Sequence, residues 1–77
     1  MPTIKLIWDF RGGDAEGTAV HHEIHLKEFA DKEQLELNET GVEKQTEMHY
    51  LAYLMVSQEE MKKVRDALIP HRGQLIE

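Results

Sequence analysis

Residues 19–29 read Ala-Val-His-His-Glu-Ile-His-Leu-Lys-Glu-Phe and hold three of the chain's five histidines. Whether this stretch is helix or strand decides the fold. As a strand, Val20, His22, Ile24 and Leu26 would alternate with His21, Glu23, His25 and Lys27. As a helix, at about 100° per residue, Ala15, Ala19, His22, Leu26, Phe29 and Ala30 share an arc roughly 100° wide. The helix is favoured, because the stripe runs on through Phe29 and Ala30 and because Lys, Glu, Ala and Leu are good helix formers. Asp14 suits an N-cap, and Glu16 places negative charge in the first turn. Gly17 opposes the helix by about 1 kcal/mol relative to Ala. His21 and His25 lie one turn apart beside the apolar stripe, while Val20 and Ile24 fall on the outer face among Lys27, Glu28 and Asp31.

Outward from this helix, residues 3–10 alternate as a strand, with Ile4, Leu6, Trp8 and Phe10 on one side and Lys5, Ile7 and Asp9 on the other. Arg11-Gly12-Gly13 reads as the turn into the helix. Leu35-Glu36-Leu37 is a short alternating piece, and Asn38 to Gly41 carries turn signals. Residues 44–56 give the strongest strand. Met48, Tyr50, Ala52, Leu54 and Val56 share one face, and His49, Leu51, Tyr53 and Met55 share the other, so the strand should be central. Ser57 and Glu60 fit a capping box, Met61, Val64 and Leu68 form a second helical stripe, and Pro70 ends it. His71 to Gln74 reads as a turn before a short last strand. The expectation is helices near 14–32 and 57–69 and strands near 3–10, 35–38, 45–56 and 73–76. That order, β-α-β-β-α-β, is an α+β, ferredoxin-like arrangement in one domain of residues 1–77, with two helices on one sheet face. The right-handed crossover rule suggests that the first and third strands run parallel as neighbours.

Composition narrows the classes. The chain has 77 residues, no cysteine and a net charge of −6. Disulfide and thiol chemistry are excluded. The charge argues against nucleic acid and anionic membrane as partners. No apolar run is long enough for a transmembrane span, and the N-terminus does not resemble a signal peptide, so a cytoplasmic location is expected. No Ser-His-Asp order, P-loop or dinucleotide fingerprint is present.

The histidines admit three readings. His21 and His25, spaced i, i+4, present two imidazoles to one zinc or other divalent metal, with a third ligand needed from Glu23, His49 or a partner chain. Alternatively, His22 or His25 is a general base in a pocket between helix and sheet, lined by Trp8, Arg11 and Tyr50 with Asp9 nearby, since imidazole titrates near neutrality. In the third, His22 is a hydrogen-bonded core residue and the other two are surface residues.

The run Asp14 to Phe29, with His25-Leu26 late in the first helix, and the strand, Ser-capped helix and closing proline of residues 47–70 resemble the dimeric α+β-barrel superfamily, its YCII-related members above all. The superfamily includes antibiotic-biosynthesis-type monooxygenases. The resemblance implies a homodimer and a pocket lined by a histidine that precedes Leu, which His25 matches. It also implies an Asp-Pro pair after the second helix as acid–base partner. Here the chain departs: Ile69 precedes Pro70, and Asp66 is the nearest acid.

A homodimer that binds a small molecule or does minor His-dependent chemistry, in a pocket between the first helix and the sheet, is the expected function. A purely structural or protein-interaction module is its rival. The dimer has a physical motive as well. One sheet face lacks helices, and Ile7, Leu51, Tyr53 and Met55 would stand on it in water. Burying each is worth about 1.5–3 kcal/mol, against about 5 kcal/mol for the core of so short a chain.

Overall fold

The computed structural model describes residues 2–76. Strand β1 (Thr3–Arg11) leads to helix α1 (Ala15–Lys32). Strands β2 (Glu39–Thr46) and β3 (His49–Ser57) form a hairpin, followed by helix α2 (Gln58–Leu68) and strand β4 (Arg72–Ile76). The sheet order is β2-β3-β1-β4, and every neighbouring pair is antiparallel. This is the expected ferredoxin-like α+β arrangement.

The direction of β3 corrects the parallel expectation, because β1 and β3 pair antiparallel from Thr3↔Ser57 to Arg11↔His49. The crossover through α1 makes β2, not β3, parallel to β1 and leaves a one-strand gap between them. The hairpin then folds β3 back into that gap. The hairpin itself was hidden in the sequence. Residues 44–56 are not one strand, since Glu47 and Met48 form a turn with neither glycine nor asparagine. Its support comes from contacts: a register shift between Lys44 and Thr46, the Met48 N–H donating to Thr46 Oγ1 at 3.2 Å, and a Lys44–Glu47 ion pair at 2.8 Å.

Helix α1 forms as its stripe demands, burying Ala15, Ala19, Leu26 and Ala30. It ends in a Schellman motif. Gln34 takes a left-handed φ of 53°, while the Leu35 N–H bonds the Ala30 carbonyl at 3.1 Å and the Gln34 N–H bonds that of Asp31 at 3.3 Å. Leu35 is thereby swung into the core, 7% exposed, so residues 35–37 cap a helix and form no strand. The turn expected at Asn38–Gly41 is replaced by the start of β2. Helix α2 shows the second amphipathic stripe but not the expected box. The Ser57 side chain makes no cap bond, and Glu60 instead accepts the Glu36 N–H at 2.9 Å. Ile69, at φ 50°, closes the helix ahead of Pro70.

The core lies between the helices and one sheet face: Leu6, Trp8, Ala52, Leu54 and Val56 meet Leu26, Ala30, Leu35 and Val64. On the other face, strand alternation places Lys5, Ile7, Asp9, His49, Leu51, Tyr53, Met55 and Arg72. Here too the structure corrects the expectation. Ile7 and Leu51 are 2% and 3% exposed within the single chain. The apolar motive for a sheet-facing dimer thus loses two of its four residues. Among the described residues, no helix is long and apolar enough to cross a membrane.

Candidate functional site

The exposed side of α1 brings His21 and His25 together. Their Nε2 atoms are 3.0 Å apart, one ring donating to the other, and the rings meet edge to face with centroids at 4.6 Å. The far nitrogen of His25, Nδ1, lies 3.4 Å from Glu28 Oε1. The third ligand expected for a metal is engaged elsewhere. Glu23 accepts from Thr40 Oγ1 at 2.9 Å, and His49 is bonded to Asp9 on the opposite sheet face. Among the described residues, no three His, Cys, Asp or Glu side chains converge on one point.

His22 faces inward. Its ring packs against Trp8 at 5.0 Å and Phe10 at 5.4 Å between centroids. Its Nε2 is buried with no hydrogen-bond partner, but the residue as a whole is only half-buried, so His22 sits at the margin of the core without the hydrogen bond expected of a core histidine. Burial, then the neighbouring imidazoles of His25, His71 and His21, push its pKa below the usual histidine value. The expected pocket around it is dispersed. Trp8 is filled core, 3% exposed, with Nε1–H donating to the Leu68 carbonyl at 3.1 Å. Tyr50 is half-buried on the helix-facing side of β3. Arg11 is exposed at the end of β1, and Asp9 points to the face away from His22.

The side chains that do converge were not grouped by the sequence reading. On the open face, Asp9 accepts from His49 Nε2 at 2.8 Å, from Arg72 Nε at 2.9 Å and from Arg72 Nη2 at 3.1 Å. Its own N–H donates to His71 Nδ1 at 2.8 Å. The Arg72 hydrogen bonds hold the Asp9 carboxyl well below the usual carboxylate range. Burial opposes them, and the His49 hydrogen bond reinforces them. Beside this cluster, Lys5 pairs with Glu43 at 2.7 Å and lies 4.5 Å from the centre of the Tyr53 ring. Strand parity put Asp9 on a polar side and His49 on a face with Leu51, Tyr53 and Met55, but only the pairing of β1 with β3 and β4 brings residues 40 and 63 positions apart into contact.

Two grooves open where helices meet sheet edges. One, of about 450 Å³, lies between α1 and β2 and is lined by Glu23, Ile24, Lys27, Glu28, Asn38 and Thr40 among others. A groove therefore does lie between the first helix and the sheet, but His22, His25, Trp8, Arg11 and Tyr50 do not line it. The other, of about 340 Å³, lies between α2 and β4, with Ile4, Leu6, Met61, Pro70, Gly73 and Leu75 in its walls. Comparison of the chain with protein-family models, curated proteins and solved structures finds no match.

Proposed function

We propose that this chain is an assembly module, a small α+β domain that binds protein through a sheet edge. The observation that carries this is the α2–β4 groove. Apolar side chains there border an edge strand, β4, whose outer side pairs with no other strand among the described residues, which is the chemistry of strand addition: main-chain hydrogen bonds supply affinity and the adjoining pocket selects side chains. Four of the five imidazoles fit the same reading. His49 and His71 are used in internal hydrogen bonds, and His21 and His25 are exposed and bonded to one another. The test is a capped peptide of alternating glutamine and leucine added to ¹⁵N-labelled protein. Shifts concentrated at residues 72–76 and in the groove side chains Leu6 and Met61 are expected. Shifts centred on His21 to His25, or none in a sample dilute enough for the chain to be monomeric, would overturn the reading.

A second reading rests on His22. A buried polar atom without a partner demands an explanation, and an imidazole on the first helix suits His-dependent small-molecule chemistry, although the YCII-like pattern points to His25 and not to His22. Titrating the five imidazoles by NMR with pH and with zinc separates the two. A response confined to His21, His22 and His25 that changes when a ligand is added favours chemistry on α1. Five independent responses leave the assembly reading alone.

A further inference from the structure

We propose that the partner at the β4 edge is a second copy of this chain, paired antiparallel about a two-fold axis at Gln74. This names the occupant of the surface put forward above and rests on that reading. The two sheet edges are built differently. The β2 edge carries Glu39, Glu43 and Lys44 and a register irregularity after Lys44, devices that keep strange strands away. The β4 edge is Arg72-Gly-Gln-Leu-Ile, in unbroken register with β1 over all five residues. Its one charge is already engaged by Asp9.

Gly73 supplies the second argument. A glycine inside a strand weakens it unless another backbone or ligand approaches closely. Nothing within the chain asks for this one. Its φ is not in the left-handed region, and a Cβ there would meet its nearest neighbours, Leu6 Cδ2 and Ile4 Cγ2, at an ordinary 3.5 and 3.7 Å. The hollow over Gly73 is therefore open to an outside side chain. Two residues on, Leu75 is 58% exposed on the same face.

Register arithmetic joins the two. A two-fold axis normal to the sheet keeps each residue on its own face, so partners must share parity. The pairing that uses all five residues sets Gln74 opposite Gln74, Arg72 opposite Ile76 and Gly73 opposite Leu75. Each Leu75 then stands beside the other copy's Gly73, at the mouth of the α2–β4 groove, and both hollows fill at once. The sheets join into one of eight strands with all helices on one side. Such a contact is isologous and self-limiting.

Sedimentation velocity from 10 to 500 µM tests this, with Leu75→Glu as the probe. Because Leu75 is exposed in the single chain, the variant should keep the wild-type circular dichroism, and the wild-type unfolding midpoint at a concentration where both chains are monomeric, while its dimer dissociation constant rises at least tenfold. A mixed sample of labelled and unlabelled chains should show an isotope-filtered NOE between Leu75 methyls and Gly73 Hα. A wild-type chain that stays monomeric at 500 µM overturns the proposal. So does a dimer indifferent to Leu75→Glu but broken by Tyr53→Asp or Ile24→Glu. If the glutamine–leucine peptide still binds residues 72–76 in either case, the assembly reading stands and only the second copy is lost.

Discussion

Arg72 grips Asp9 with two nitrogens, Nε at 2.9 Å from Oδ2 and Nη2 at 3.1 Å from Oδ1. The fork ties the first residue of β4 to the strand at the centre of the sheet. Asp9 is 15% exposed and Arg72 about half exposed, so solvent screens part of the attraction. Arg72→Ala should lower stability by roughly 1 kcal/mol at pH 7, measured by urea unfolding. The sign with pH follows from the lowered carboxyl pKa of Asp9. The unfolded chain binds more protons around and below the ordinary carboxylate value, so this contribution is complete above about pH 5 and is lost progressively as the pH falls below it. The gap between wild type and Asp9→Asn should therefore narrow steadily from pH 5 to pH 2. A gap that stays constant across that range would show that Asp9 acts by shape alone.

His22 works in a different pH window. Its pKa is lowered, chiefly by burial, so the unfolded chain takes up a proton near pH 6.5 before the folded chain does. Stability is complete above that value and declines as the pH drops through it. His22→Leu removes a buried, unpartnered nitrogen. It should be neutral to about 1 kcal/mol stabilising at pH 7.5, with a larger gain at pH 5.5. Urea midpoints of the two proteins at both pH values decide this, and a loss of stability at pH 5.5 would contradict it.

Tyr53 and Gly41 form an aromatic–glycine pair across β2 and β3. The Tyr53 ring lies over Gly41 so closely that a Cβ at position 41 would sit 2.5 Å from Tyr53 Oη. Gly41→Ala must push the ring aside and disturb Lys5 and Glu43 with it. We expect a loss of roughly 1–2 kcal/mol. In a Tyr53→Ala background the same change should be neutral or favourable, since alanine suits a strand better than glycine. Equal losses in both backgrounds would show that the ring is not the obstacle.

The His21–His25 pair predicts modest metal capture. Two imidazoles one helical turn apart chelate zinc, but tight binding needs more ligands. Zinc should shift both rings together, leave His49 and His71 unmoved, and be released on acidification because only neutral imidazole binds metal. His25→Ala should abolish the joint response. A zinc effect that survives that change would place the metal elsewhere.

Much of the fold could be read from local pattern. The spacing of Ala15, Ala19, Leu26 and Ala30 gave α1 to within a residue, and the alternation from Ile4 to Phe10 gave β1, because helix and strand periods are imposed by the backbone itself. Element order followed, and with it the ferredoxin-like arrangement, but not the antiparallel pairing of β1 with β3. The Glu47-Met48 hairpin escaped because its stability resides in Thr46, Lys44 and a register shift and not in turn residues. Leu35 escaped because a Schellman cap on a glutamine lacks the glycine that usually marks one.

What the sequence by itself determined was which residues needed burial and with what period. It placed His21 beside His25 by helical geometry alone. Only the tertiary structure decided which distant groups would meet. Asp9, His49 and Arg72 stand on three strands, and no local rule links them until antiparallel pairing sets their register. The same holds for the open face. Ile7 and Leu51 look bare along the chain, yet in the folded chain they are 2% and 3% exposed. Contacts between strands depend on register, and register is a property of the folded sheet, set by where the whole chain can bury its apolar faces at once.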